Sequence, residues 1–492
     1  MRGLVPGRLA LLAAAAAGLL HTASFAPTGA WWLQPLALAW LAHLSFNAGP
    51  RRAAALGLTF GTAWLGSGLW WLHISLHQFG HLPWLLAALA VGLLALFLAS
   101  YYAAALALAA KLRQRSPAWQ ALTWACCWLL AELARATLFT GFPWLAGGYA
   151  HTSGLLADWA PWIGVYGITA LSAGAAAAFA ALGRHAWQPA AVVLVLLGLG
   201  ELLPQQFTQS AGRLPVSLIQ PNVPQDQKFD RELMDEHLER LARLIEAARG
   251  RVIVTPESVV PLPLSYLDPD YVARLQRTAQ RRPVLLGTFL GSEREGWVNS
   301  LAALGGGEAA YAYGKRHLLP FGEFIPPGFG WFVKALGIPM DSQARGQHQQ
   351  AFAVAGQRLR PLICYEDLFG EDFVDSVVGP EAATVLVNVS NLAWFGTLMV
   401  QDQHLQFSQM RALEFQRPFI RATNTGATAV LDHQGRLLAR LPAATEALLE
   451  ATVEGRRGST PYARWLAACG LAPLFLLALA GPALAWWRRR AA

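Results

Sequence analysis

Charged side chains are scarce in this sequence, at 14% of 492 residues, against about 25% in ordinary soluble proteins. The scarcity is uneven: residues 84–110 hold none in 27 positions, and residues 465–487 none in 23. Each run is longer than the about 20 apolar residues a helix needs to cross a bilayer core. The composition is therefore that of a polytopic membrane protein carrying an inserted polar domain. Cysteine is rarer still, with four in the chain. Cys126, Cys127 and Cys469 fall in apolar stretches, which leaves Cys364 no disulfide partner outside them and excludes a disulfide-stapled domain. No basic patch interleaved with aromatics is present, so the net charge of +8 does not indicate nucleic acid. Internal repeats and low-complexity linkers are also absent.

Eight spans are expected, at about 8–24, 31–47, 53–72, 84–110, 118–138, 162–183, 187–204 and 465–487. The first follows Arg2 and Arg8 but lacks a clean A-x-A cleavage site before Pro27, so it reads as an uncleaved span. With the N-terminus in the cytoplasm, eleven Lys and Arg residues fall on the cytoplasmic side: Arg2, Arg8, Arg51, Arg52, Lys111, Arg113, Arg115, Arg184, Arg488, Arg489 and Arg490. The opposite loops, 25–30, 73–83 and 139–161, hold none. This bias sets the orientation: both termini are cytoplasmic and the segment between spans seven and eight lies outside, in the periplasm of a bacterial inner membrane. Glu132 and Arg135, three apart in span five, share a helical face and read as a structural ion pair. His73, His77 and His81 have no Cys or acidic neighbour, so they read as polar interface residues rather than a metal site.

The domains expected are residues 1–204 (seven membrane helices), 205–463 (an outer catalytic domain) and 464–492 (a last helix with a basic tail). Within the outer domain, "LPVSLIQ", "RVIVTPE", "PVLLGTF", "NSLAAL", "AYAYGKRHLLPF", "LRPLICYE" and "ATVLVNVSN" read as strands. The stretch opening at Asp230, a cap, and ending before Gly250 reads as an amphipathic helix, as do 269–281, "EDFVDSVV" and 402–416. Alternating strands and helices indicate an α/β layered fold. Residues 320–360 read as a long loop and lid, and the apolar part 325–339 as a membrane-contacting segment.

Three strand ends carry chemistry: "VIVTPE" ends at Glu257, "YAYGK" at Lys315, and "PLICYE" exposes Cys364. A carboxylate can take a thiol proton and return it to a leaving group. An ammonium can stabilise a thiolate and a tetrahedral oxyanion. Glu, Lys and Cys together suffice for acyl transfer, although each alone has an ordinary structural explanation.

"TPES", "GKRHLLPFGEFIP" and "LICYEDLFGEDF", in that order, resemble the signature segments of the carbon–nitrogen hydrolase (nitrilase) superfamily. Flanking spans, with "SFAP", "TGFPW", "SNLAWFG", "QMRALEFQRPFIRATNTG" and "STPYAR", make the resemblance closest to its membrane-embedded branch, the apolipoprotein N-acyltransferases. The resemblance implies a polytopic α-helical membrane domain plus a nitrilase-like αββα sandwich. It implies Cys364 as nucleophile, Glu257 as general base and Lys315 as oxyanion stabiliser. Glu323, Tyr365, Glu366, Phe229, Asn391 and Trp394 fall at supporting or binding positions. No cofactor or metal is implied. The acyl donor would be a phospholipid, typically phosphatidylethanolamine, and the acceptor the α-amine of a diacylated apolipoprotein, handled by a monomer. Leu392 stands where the family has an acid, and Phe229 where it has Trp. By their chemistry alone, the three core residues would equally serve a membrane-tethered amidase acting on a small amide.

Overall fold

The computed structural model describes residues 7–182, 198–305, 310–326, 342–347 and 350–491, with a few isolated positions between them. The chain divides into two compact units, residues 1–205 with 468–492, and residues 206–467.

The first unit is helical: α1 (Gly7–Thr22), α2 (Leu33–Phe46), α3 (Pro50–Gly68), α4 (Trp84–Lys111), α5 (Pro117–Thr137) and α6 (Ala160–Leu182), closed by α11 (Ala472–Ala491). These overlie seven of the eight expected spans, and half of the seventh, 187–204, lies outside the described residues. By length and composition, three helices among the described residues could cross a membrane, and a fourth could if Pro461–Cys469 and Ala472–Ala491 count as one bent span. The helices α1 and α2 have 16 and 14 residues, about 24 and 21 Å, short of a hydrocarbon core of about 30 Å. Helix length among the described residues therefore supports three or four spans, and eight are not confirmed.

Small residues let the helices touch. A Cβ at Gly57 would stand 2.7 Å from the Tyr102 carbonyl oxygen, and one at Gly61 would stand 2.8 Å from the Ala99 Cβ, so α3 and α4 meet backbone to backbone. Behind them Glu132 and Arg135 pair at 3.1 Å, fully buried. Tyr102 donates to Glu132 at 2.8 Å, and Arg135 donates to the carbonyls of Phe142 and Trp144 at 2.8 and 2.7 Å. The pair thus has the extra hydrogen bonds a buried ion pair needs. The rings of His73 and His77 are engaged with the backbone carbonyls of Trp84 and Leu82.

The second unit is a sandwich of two six-stranded sheets among the described residues, ordered β12-β1-β2-β3-β4-β5 and β11-β10-β9-β8-β7-β6, where β6 is Phe352–Val354, β10 Ala429–Leu431, β11 Leu437–Arg440 and β12 Ala447–Gly458. The strands that carry the argument are β1 (Thr208–Gln220), β2 (Val252–Val254), β3 (Val284–Ser292), β4 (Gly296–Leu304), β5 (Ala312–Gly314), β7 (Gln357–Ile363), β8 (Val385–Ser390) and β9 (Phe419–Thr423). Strands β1, β2 and β3 run parallel, as do β7, β8 and β9. Side-chain alternation builds the layers. Val252, Val254 and Leu285 face Leu359, Val387 and Ile420 of the other sheet in one core. Ile253, Val284 and Leu286 face away, onto α7 (Met234–Ala247) and α8 (Pro269–Ala279). On the far side Arg421 of β9 reaches Asp367, His404 and Ser408, the last two on α9 (Met399–Phe415). The layers are therefore helix, sheet, sheet, helix.

Several local expectations need correction. Asp230 does not cap α7, which begins at Met234 after Leu233; its carboxylate accepts from the Glu232 N–H in a turn instead. "EDFVDSVV" forms two short 3₁₀ turns, Gly370–Asp372 and Val374–Val377, rather than one helix. The segment 320–360 is not all loop, since Phe352–Val354 (β6) pairs with β7. Most of 325–339 lies outside the described residues. Strand β12 (Ala447–Gly458) pairs with β1 along its length, an element the sequence did not announce.

Gly287 of β3 passes directly beneath the turn that carries Glu257: a Cβ there would lie 2.0 Å from the Pro256 carbonyl oxygen. Overpacking of this kind costs about 1–3 kcal/mol. Gly287→Ala is expected to lower the unfolding free energy by about that amount, as measured by chemical denaturation.

Candidate active site

The site is built at strand ends. Glu257 follows β2, Lys315 follows β5, Cys364 follows β7, Asn391 follows β8 and Asn424 follows β9. All these strands converge on the core shared by the two sheets, so residues more than a hundred positions apart in sequence meet there.

Lys315 is buried, and its Nζ lies 2.8 Å from Glu323 Oε1 and 3.5 Å from Glu257 Oε1. Burial works against its charge, but Glu323, and then Glu257, outweigh burial and hold its pKa well above the usual lysine range. It therefore stays an ammonium. Asn299 Nδ2, from β4, donates to Glu257 Oε1 at 2.8 Å, and the Asn391 N–H donates to Oε2 at 2.9 Å. Both oxygens of Glu257 are thereby fixed. Glu323 Oε2 accepts from the Leu319 N–H at 2.8 Å, which shapes the loop after Lys315.

Cys364 opens a 3₁₀ turn, Cys364–Leu368, with φ at +56°. A left-handed conformation at a residue other than glycine stores about 1–3 kcal/mol. The surroundings enforce it: Asn388 Nδ2 holds the Cys364 carbonyl at 2.7 Å. The thiol, half-buried, lies within the fields of Glu257, Lys315 and Glu323. Burial first, and the Glu257 charge second, push its pKa well above the ordinary thiol value; Lys315 pulls it down and does not prevail. The sequence suggested a thiol ionised by its ammonium neighbour, whereas here two carboxylates surround one ammonium and the resting thiol is neutral.

Glu366 braces the site. Its Oε2 accepts from the Tyr313 hydroxyl at 2.9 Å and the Ile363 N–H at 2.7 Å, and its Oε1 from the N–H groups of Arg316 and His317 at 2.7 and 3.1 Å. These donors flank Lys315 on one side and Cys364 on the other. Tyr365 donates to the Leu318 carbonyl at 2.8 Å, with its ring 5.7 Å from Lys315 Nζ. Glu323, Tyr365, Glu366 and Asn391 are thus brought together with the central three. Trp394 sits in a 3₁₀ turn, Leu392–Phe395, three residues beyond Asn391. Leu392, at 1% exposure, is part of the core, which suits an apolar residue in place of an acid. Phe229 is 54% exposed, and it is its neighbour Lys228 that reaches the site. Buried Lys228 donates to Ser258 Oγ at 2.8 Å. Burial lowers its pKa to about 8, against the pull of Glu257.

Sequence reasoning missed Asn299, Lys228, Gln225 and Asn424. Asn299 was the readable one, a polar residue inside the apolar strand "VNSLAAL". The amides of Gln225 and Asn424 gave no such signal, because polar residues in loops are ordinary.

Comparison with known proteins bears on both units. Residues 17–178 match the model of the apolipoprotein N-acyltransferase N-terminal domain, and residues 216–462 the model of carbon–nitrogen hydrolases. An apolipoprotein N-acyltransferase of Verminephrobacter eiseniae is 44% identical over 92% of this chain and 92% of its own. One from Ralstonia nicotianae is 44% identical over 93% and 90%, and one from Nitrosomonas europaea 40% over 98% and 99%. Similarity at this level along the helical and catalytic units together makes the chain a member of the apolipoprotein N-acyltransferase family.

Proposed function

We propose that this protein transfers an acyl chain from a membrane phospholipid, through a thioester on Cys364, to the N-terminal amine of a diacylated apolipoprotein. The observation that carries this reading is the convergence of Glu257, Lys315 and Cys364 at the ends of three strands. Family membership supports the lipoprotein N-acylation, and full-length relatives disfavour the small-amide alternative. The inner membrane, with the catalytic unit on its periplasmic side, is the location favoured by the eleven-to-zero charge bias of the helical unit.

The chemistry follows from the charges. Because the thiol is neutral at rest, deprotonation accompanies attack. Glu257 takes the Cys364 proton as sulfur bonds to the ester carbonyl carbon. The carbonyl oxygen becomes an oxyanion beside Lys315 Nζ. Collapse breaks the acyl C–O bond, and Glu257 returns the proton to the leaving glycerol oxygen. A lysophospholipid departs and the acyl group remains on sulfur. The α-amine then attacks the thioester, Glu257 accepts its proton, the C–S bond breaks, and the proton returns to Cys364. The product is an amide. A covalent intermediate of this kind implies ping-pong kinetics. Glu323 keeps Lys315 cationic throughout, and Glu366 keeps the ammonium and sulfur in register.

Intact mass of the purified protein after incubation with phosphatidylethanolamine vesicles is expected to show one added acyl group, absent in Cys364→Ala. A wild-type enzyme that transfers acyl groups without this adduct overturns the thioester route.

Glu257→Gln has two effects of opposite sign. Loss of the base is expected to slow thioester formation by about 10²–10⁴-fold. Loss of its negative charge relieves the second cause of the raised thiol pKa, so more thiolate is present at a given pH. Iodoacetamide alkylation of Cys364 should therefore become faster in the variant. In the wild type it should still be climbing above pH 9. Slower alkylation of the variant contradicts the charge assignment.

Lys315→Met removes the oxyanion partner and is expected to cost about 10²–10³-fold in acyl transfer. It also removes the ammonium that lowers the thiol pKa, so alkylation slows, the reverse of Glu257→Gln.

A further inference from the structure

The amide groups around Glu257 form a chain whose orientations are forced from one end. The Val223 N–H donates to Asn424 Oδ1 at 2.9 Å, and Asn424 Nδ2 donates back to the Val223 carbonyl at 2.8 Å. A backbone N–H only donates and a carbonyl only accepts, so the Asn424 amide cannot be reversed. Its Nδ2 also donates to Asn391 Oδ1 at 3.0 Å, which turns Asn391 Nδ2 toward Gln225 Oε1 at 2.7 Å. Gln225 is in turn left with its Nε2 as a buried donor that has no partner among the described residues; the residue is 6% exposed.

On the other oxygen of Glu257 the same logic leaves an acceptor. Asn299 Nδ2 donates to carboxylates, which only accept, so its Oδ1 is fixed on the opposite edge of the amide. That oxygen is buried and likewise has no partner among the described residues. An unpaired buried polar atom is costly, and these two lie at the ends of the hydrogen-bond chain that runs through both oxygens of Glu257. A free donor at one end of that chain and a free acceptor at the other match a molecule that presents an amine followed by a carbonyl. An N-terminal amino-acid residue does so. The scissile ester of a phospholipid presents acceptors only and would leave Asn299 Oδ1 unmatched.

We propose that Gln225 is a binding residue for the lipoprotein acceptor, its Nε2 donating to the carbonyl oxygen of the acceptor's N-terminal residue. This rests on the acyl-transfer reading above, and the experiment separates the two. Full-length wild type and Gln225→Glu are loaded with acyl groups from phosphatidylethanolamine vesicles, then offered either an S-diacylglyceryl-cysteinyl peptide or S-diacylglyceryl-cysteamine. The second acceptor keeps the amine and lacks the carbonyl. Glutamate preserves the acceptor for Asn391 and removes the donor; should it fail to fold, Gln225→Met carries the same comparison. The expected result is a loss of roughly ten-fold in the aminolysis rate constant with the peptide, and none with the cysteamine. An equal loss on both acceptors means that Gln225 acts only through Asn391 on Glu257, and overturns the proposal. So does an unchanged rate with the peptide. A wild type that acylates neither acceptor overturns the acyl-transfer reading itself.

Discussion

The site depends on one buried carboxylate. Glu366 gathers the N–H groups of Ile363, Arg316 and His317 and the hydroxyl of Tyr313. Those donors come from the end of β5 in one sheet and the end of β7 in the other. A carboxylate offers about four lone-pair positions, so four donors saturate it. The result is a directional bridge between two layers whose shared core is apolar, and apolar contacts resist sliding poorly because they have no direction. Lys315 and Cys364 sit on its two abutments. Any shift of one sheet against the other would have to break hydrogen bonds to a buried charge, which are among the strongest a protein makes.

Within that frame, charge decides the chemistry. Two carboxylates, Glu257 and Glu323, share one ammonium. The excess of negative charge, added to burial, keeps the thiol protonated. A permanent thiolate would be open to oxidation and to adventitious electrophiles. In the proposed reaction, a neutral thiol beside the Glu257 carboxylate is activated only as it attacks, which keeps it inert between substrates. The left-handed backbone at Cys364 belongs to the same logic: conformational strain is held by Asn388 and Glu366 and keeps the sulfur presented.

The helical unit solves a different problem with related means. Glu132 and Arg135 are satisfied by each other, by Tyr102 and by two backbone carbonyls. Close approach of α3 and α4 at Gly57 and Gly61 supplies contact where lipid leaves no hydrophobic drive for helices to associate. The polar cluster then costs little, since no member is left without a partner in an apolar surround.

Much of this was legible in the primary structure. Long apolar runs without charge announce helices, short continuous apolar runs such as "VIV" and "VLL" announce strands buried on both faces, and Glu257, Lys315 and Cys364 stand out as polar groups where buried strands end. Such signals are local, and local patterning survives without knowledge of the fold. What stayed hidden was every property that needs two distant segments at once. Asp230 resembled a cap until the chain around it was placed. Strand β12 finds its meaning only beside β1. The thiol's protonation depends on counting charges that follow two separate strands, Glu257 after β2 and Lys315 and Glu323 after β5, and the free edge of Gln225 depends on amides contributed by three loops. Residue identity and spacing were therefore enough to nominate Glu257, Lys315 and Cys364 as the reacting groups of the proposed function. Which of them carries a proton, and which polar atoms remain open for a substrate, was decided only when folding removed water and brought those groups within a few ångströms of one another.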